Sequence, residues 1–103
     1  MAKFKLVAEP TFKCNVLIPR AGQEDGQIEL TFNHYSADKL AKLEDEVKDK
    51  QIVDLVMKIV QGWSLDEEFN QENMQILLNN YPAAWRAITD TYYKEMLGQR
   101  EKN

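Results

Sequence analysis

The sequence predicts an α+β fold in which an N-terminal antiparallel β-hairpin packs against a C-terminal bundle of about four α-helices. Apolar and polar residues alternate over Thr11–Pro19 and again over Ile28–Asn33, the period of two expected of half-buried strands. From Ser36 onward the apolar spacing changes to the i, i+3, i+4 pattern of amphipathic helices. The 103 residues are 44% apolar and 29% charged, with four glycines and three prolines, which suits one ordered domain over residues 1–103 with one modest core.

In the first strand Phe12, Cys14, Val16 and Ile18 alternate with Lys13, Asn15 and Leu17, bracketed by Pro10 and Pro19. Arg20–Gly26 supplies two glycines and polar residues for a turn, after which Ile28, Leu30 and Phe32 alternate with Glu29, Thr31 and Asn33. An isolated hairpin is marginal in water, so its apolar face needs a cover of helices, and Phe4–Val7 is expected to add a third strand.

Ser36 is suited to cap the first helix, with Asp38 near the positive end of its dipole, and the helix is expected to run to about Asp49. Leu40, Leu43 and Val47 form a narrow stripe, and Asp38/Lys42, Glu44/Lys48 and Glu46/Lys50 are spaced as ion pairs on a solvated face. Over Gln51–Gln61, Ile52, Leu55, Val56, Ile59 and Val60 mark one face while Val53 and Met57 put apolar surface on another, as in a helix covered on two sides. Gly62 is expected to close that helix in the left-handed conformation, with Trp63 folding back onto its last turn.

Asp66-Glu67-Glu68 reads as an acidic loop, followed by Asn70 as the cap of a third helix and by Phe69 and Met74 at the spacing of a hydrophobic staple. Met74, Leu77, Leu78 and Tyr81 form its stripe. Pro82 disfavours helical geometry at Tyr81 and suits a first helical turn, so Asn79–Pro82 is a tight joint between two helices. The last helix is expected from Pro82 to about Leu97, with Trp85, Ile88, Tyr92 and Met96 at helical spacing, and residues 98–103 are expected to fray.

The net charge of −4 is uneven: residues 1–20 carry four basic groups against Glu9, leaving the rest strongly acidic, which is no nucleic-acid footprint. No run approaches the roughly 18 apolar residues of a membrane span or resembles a signal peptide, so no membrane partner is expected. Cys14 is the lone cysteine and His34 the lone histidine, too few for a zinc site or a base–nucleophile pair. The acids at 66–68 and Glu72 lack the alternating ligands and turn glycine of a calcium loop, and no phosphate-binding or nucleophile-elbow motif occurs. The expectation is a binding protein that is not an enzyme and uses no cofactor.

Aromatic residues are the remaining candidates. Trp63, Phe69 and Tyr81 read as packing residues, whereas Trp85, Ile88, Tyr92, Tyr93 and Met96 are taken as the face that a terminal helix leaves for a protein partner, or for a second copy.

Several stretches in order resemble a known family: Pro10-x-Phe12 with Val16-x-Ile18-Pro19, Phe32-x-His34, Ile59-Val60-x-Gly62-Trp63, Phe69-x-x-Glu72-Asn73, and Leu77-Leu78-x-Asn80-Tyr81-Pro82-Ala83-Ala84. They resemble the tail assembly chaperones of bacteriophages with long non-contractile tails, over nearly the whole chain. The Gly62-Trp63 and Asn80-Tyr81-Pro82 elements are the specific part. Asn79 and the bulky Trp85 depart from the family pattern.

The resemblance implies a helper made in the cytoplasm of the infected or lysogenic host. It would bind the tape measure protein, keep it soluble, recruit tail tube protein, and be absent from the finished virion. It also implies a longer, frameshifted form extending from near Lys102-Asn103. The rival reading is a structural tail or head–tail connector protein of the virion.

Overall fold

A computed structural model describes residues 4–46, 48 and 50–98. Its elements follow the order β1 (Thr11–Arg20), β2 (Gln23–Asn33), α1 (Ala37–Glu46), α2 (Ile52–Ile59), β3 (Val60–Trp63), α3 (Gln71–Asn80) and α4 (Ala84–Leu97). The fold is α+β: a three-stranded antiparallel sheet in the order β1-β2-β3, with helices over one face.

β1 and β2 pair Phe12 with Phe32, Cys14 with Leu30 and Val16 with Ile28, which puts the alternating apolar residues on one face. The turn is tighter than the sequence suggests, because Arg20 already pairs with Gln23 and Gly22 adopts φ +73° at the tip. That left-handed conformation costs glycine nothing and a β-carbon a great deal. The register shifts between Ile18 and Arg20, where Pro19 has no N–H to give the ladder.

The third strand is not Phe4–Val7. Those residues pair with no strand, and Phe4, Leu6 and Val7 are exposed. The third strand is Val60–Trp63, which α2 enters without an intervening residue: Val60 is the C-cap of α2, in extended geometry, and the first residue of β3.

Gly62 therefore does not close a helix. It lies opposite Thr31 in the sheet, has no positive φ, and an added β-carbon would make only an ordinary contact with Thr31 at 3.9 Å. β3 pairs Val60 with Phe32 and Trp63 with Leu30, and the register shift between them leaves Gln61 as the extra residue of a bulge. The bulge turns both Val60 and Trp63 toward the core face, which strict alternation would forbid for residues three apart.

α1 is capped as expected, with Ser36 Oγ accepting from the Lys39 N–H at 3.3 Å, and Leu40 and Leu43 are buried. Its three expected internal ion pairs do not form among the described residues; Glu46 instead approaches Lys58 of α2 at 3.6 Å. The part of the predicted helix at residues 47 and 49 lies outside the described residues.

α2 starts with the Gln51 N–H donating to the Asp54 carboxylate and buries Val53, Val56 and Ile59, while Ile52 faces outward. It touches β2, β3, α3 and α4, so it is covered on more than one side as its composition predicts. The N-cap of α3 follows the sequence reading. Asn70 Oδ1 accepts from the Asn73 N–H at 2.8 Å, and Gly98 ends α4 at φ +69°. α4 begins at Ala84, two residues later than expected, because Pro82 and Ala83 form a turn after Tyr81. Of the expected frayed tail 98–103, all but Gly98 lies outside the described residues.

The buried residues form one cluster with contributions from every element. At its centre Tyr92 of α4 sits with Phe12 and Phe32 at ring separations of 6.0 and 5.2 Å. Its hydroxyl donates to the Asn33 carbonyl at 2.8 Å. The Asn33 amide donates to the Lys58 carbonyl at 3.0 Å, and Tyr35 donates to the same carbonyl at 2.6 Å. The end of β2 thus satisfies a carbonyl that the last turn of α2 leaves without a helical partner.

Burial pushes the Tyr92 phenol well above its ordinary pKa of 10.0. A group with a raised folded-state pKa stabilises the fold below its unfolded value and loses that contribution as pH rises toward the folded value. Denaturant unfolding should show stability falling as pH rises above about 10, with a shallower fall in Tyr92→Phe. At neutral pH, Tyr92→Ala should cost about 3–5 kcal/mol and Tyr92→Phe about 0.5–1.5 kcal/mol in the same measurement.

Candidate protein-binding groove

The residues expected to form a partner face on the last helix do not share one exposed surface. Ile88 and Tyr92 are completely buried, as are Ala84 and, nearly so, Thr89, whose hydroxyl donates to the Trp85 carbonyl within the helix. The expected stripe is therefore largely the core stripe of α4, and Ile88 and Tyr92 are corrected from partner residues to packing residues. Trp85, Tyr93 and Met96 are half-buried. The Arg86 guanidinium lies 5.3 Å from the centre of the Trp85 ring. Tyr93 meets Tyr92 edge to face, and its phenol is raised above its ordinary pKa by burial and then by the charge of Glu44, to which it hydrogen bonds. Met96 flanks the start of β1, beside Phe12 and His34.

The other residues singled out by the sequence do converge. Trp63 at the end of β3 and Asn80 and Tyr81 at the end of α3 line one side-open pocket of about 370 Å³, together with Leu65, Ile76 and Leu77. A second, smaller hollow of about 170 Å³ shares Leu65, Leu77 and Tyr81 and continues toward Ile18 and Arg20 of the hairpin. The two hollows adjoin at these shared side chains, and together they make the groove between α3 and the sheet.

Each wall is fixed locally. Trp63 Nε1 donates to the Glu67 carbonyl at 2.8 Å, and Phe69 packs edge to face on Trp63 at 5.2 Å, so the loop 64–70 folds around the indole. Ser64 continues the pairing of β3 with the central strand β2, its N–H donating to the Glu29 carbonyl and its hydroxyl accepting from the Glu29 N–H. At the far wall Tyr81 caps α3 by donating its N–H to the Leu77 carbonyl, while Asn80 Nδ2 donates to the Ile76 carbonyl. Pro82 stands exposed in the turn beyond, and Gly62 lies beside the groove in β3 without lining it.

Leu65 and Ile76 were not picked out from the sequence, yet they are 39% and 57% exposed at the groove, side chains that a monomer gains nothing by leaving in water. Their signal is faint: Leu65 is the apolar residue just before the acidic run Asp66-Glu67-Glu68, and Ile76 falls off the apolar stripe of its helix. Glu67 lines the groove and Asp66 and Glu68 share its loop, giving one end an acidic rim.

Among the described residues no group of three His, Cys, Asp or Glu side chains is placed to hold a metal ion, and no helix is long and apolar enough to cross a membrane. His34 is exposed at the end of β2, and Cys14 is half-buried opposite Leu30 on the core face of the sheet. What the groove offers is apolar and aromatic surface with a polar rim, the make-up of a surface that holds another chain.

A family model described as phage tail assembly chaperone matches residues 1–103, the entire chain. The chain belongs to the phage tail assembly chaperone family. Searches of curated proteins and of solved structures return no significant match. For a tail assembly chaperone the partners are tail proteins, and the groove is lined by one residue of the Gly62-Trp63 motif, Trp63, and by two of the Asn80-Tyr81-Pro82 motif, Asn80 and Tyr81.

Proposed function

We propose that this tail assembly chaperone binds the tape measure protein of its phage in the host cytoplasm, keeps that long helical client in solution and brings tail tube subunits to it, leaving before the virion is complete. The observation that carries the reading is the groove of Trp63, Leu65, Ile76, Leu77 and Tyr81 in a chain of this family. An amphipathic helix lays its apolar face into such a groove and is read through side chains three and four residues apart, a mode that needs neither nucleotide nor metal. Shielding the apolar face of an unassembled helix also removes the surface through which it would aggregate. The chaperone works by binding, and its contacts must be reversible.

Co-expression of the full chain with the tape measure protein encoded nearby should shift that protein into the soluble fraction and co-purify with it. Leu65→Asp and Ile76→Asp should each abolish this effect while leaving the chaperone folded, at a cost of about 1 kcal/mol in its own unfolding free energy, because both side chains are only partly covered. An unchanged client in the presence of the wild-type chain would refute the proposal. Stoichiometric amounts of the chain in purified virions would favour a structural role.

A further inference from the structure

The two edges of the sheet differ in how well they are guarded. β3 is blunt, being four residues long and carrying the bulge at Gln61. β1 is ten residues long and pairs only with β2 among the described residues. Short strands, bulges and several charges keep an edge from pairing with another chain, yet from Thr11 to Leu17 the only charge on β1 is Lys13.

The ladder fixes which backbone groups that edge presents. The His34 N–H donates to the Pro10 carbonyl at 2.9 Å, so bonded pairs alternate from there through Phe12 and Phe32, Cys14 and Leu30, and Val16 and Ile28. The intervening pairs turn away from each other. On β2 this directs the N–H and carbonyl of Glu29 toward β3, where both bond to Ser64. On β1 the same alternation points the N–H and carbonyl groups of Thr11, Lys13, Asn15 and Leu17 off the sheet, where the Asn15 carbonyl meets the Cys14 thiol at 3.6 Å. An extended backbone can match such a row, whereas a helix, whose own groups are already paired, cannot.

The neighbouring side chains describe the occupant. On the core face Phe12 and Cys14 are half-buried while their partners Phe32 and Leu30 are completely buried, so apolar residues of an added strand would complete the cover. On the outer face Leu17 is 56% exposed. Lys13, exposed on the same face, shares a hollow with Glu9 and Glu95 but is in no ion pair among the described residues, Glu9 being taken by Lys5. The matching strand is therefore apolar on its inner face and carries on its outer face an apolar residue beside Leu17 and an acid beside Lys13.

We propose that the free edge of β1, from Thr11 to Leu17, takes an extended segment of the tail tube subunit as a fourth strand while the tape measure helix lies in the groove. This rests on the reading of the chain as a protein that brings those two together. Such a role needs two surfaces that can be filled at once, one for a helix and one for a strand. The groove touches β1 only at Ile18 and Arg20, at its turn end, and leaves Thr11–Leu17 clear.

The test uses the full chain and the tail tube protein encoded nearby. In the chain alone the amides of Phe12, Cys14 and Val16 should exchange slowly and those of Lys13, Asn15 and Leu17 rapidly, and the tube protein should slow the second set at least about tenfold. Asn15→Pro removes an N–H that points off the sheet, where an edge strand tolerates proline, and should weaken tube binding at least about tenfold with tape measure binding unchanged. Leu17→Lys, at an exposed side chain, should weaken tube binding without altering denaturant unfolding. Tube binding that survives both substitutions, or that leaves exchange at Lys13, Asn15 and Leu17 fast, would overturn this assignment and leave the recruiting role standing. The lack of any complex between the wild-type chain and the tube protein would overturn both. Protection of the same amides that grows with the concentration of the chain alone would give the edge to a second copy and overturn the proposal as well.

Discussion

α2 passes into β3 at Val60 with no loop between them, and the remaining architecture depends on that junction. A helix covalently continuous with a strand cannot choose its place on the sheet independently. Once β3 pairs with β2, the axis and the end of α2 are set. The end of β2 then secures the junction, since Asn33 and Tyr35 both donate to the Lys58 carbonyl and the Asn33 carbonyl receives the Tyr92 hydroxyl. One residue thereby ties the hairpin to α2 through its side chain and to α4 through its backbone. The aromatic contacts of Phe12, Phe32 and Tyr92 fill the space around these bonds and keep water from competing for them.

The same junction creates the groove. The bulge at Gln61 turns Trp63 inward at the end of a strand of four residues, where the following loop must wrap around it. α3 packs on α2 and α4, not across the sheet, so a gap remains between α3 and the hairpin. Leu65, Ile76, Leu77 and Tyr81 border that gap, and no further element of the described chain closes it. The fold's own geometry thus leaves an apolar hollow open to solvent, and the proposed client binding rests on that hollow.

Local signals in the sequence were read correctly where local physics decides. Alternation located β1 and β2, Ser36 and Asn70 marked helix starts, and Pro82 marked the joint between α3 and α4. Long-range pairing was not legible. Val60–Trp63 is too short for its own alternation, follows a helical apolar pattern directly, and contains a glycine that mimics a helix stop, so it reads as the end of α2. Phe4–Val7 has a strand-like composition but lacks a neighbour to pair with. On α4, periodicity identifies an apolar stripe without saying whether it is covered; Ile88 and Tyr92 are covered because the hairpin and α2 reach them. Of the groove, Trp63, Asn80 and Tyr81 were marked by motif, whereas Leu65 and Ile76 become visible only when the loop and the helix face are placed together.

The central claim is that the sheet and helices form one cooperative unit joined at the end of β2, and native-state hydrogen exchange tests it most directly. The Val60 N–H, bonded to the Val56 carbonyl, and the Ser64 N–H, bonded to the Glu29 carbonyl, should exchange through the same global opening as the ladder amides of β1 and β2. Their opening free energies should equal that of denaturant unfolding. Exchange at Val60 and Ser64 through a much cheaper opening, with the β1–β2 ladder still protected, would show that β3 and α2 detach as a separate unit and would contradict this account.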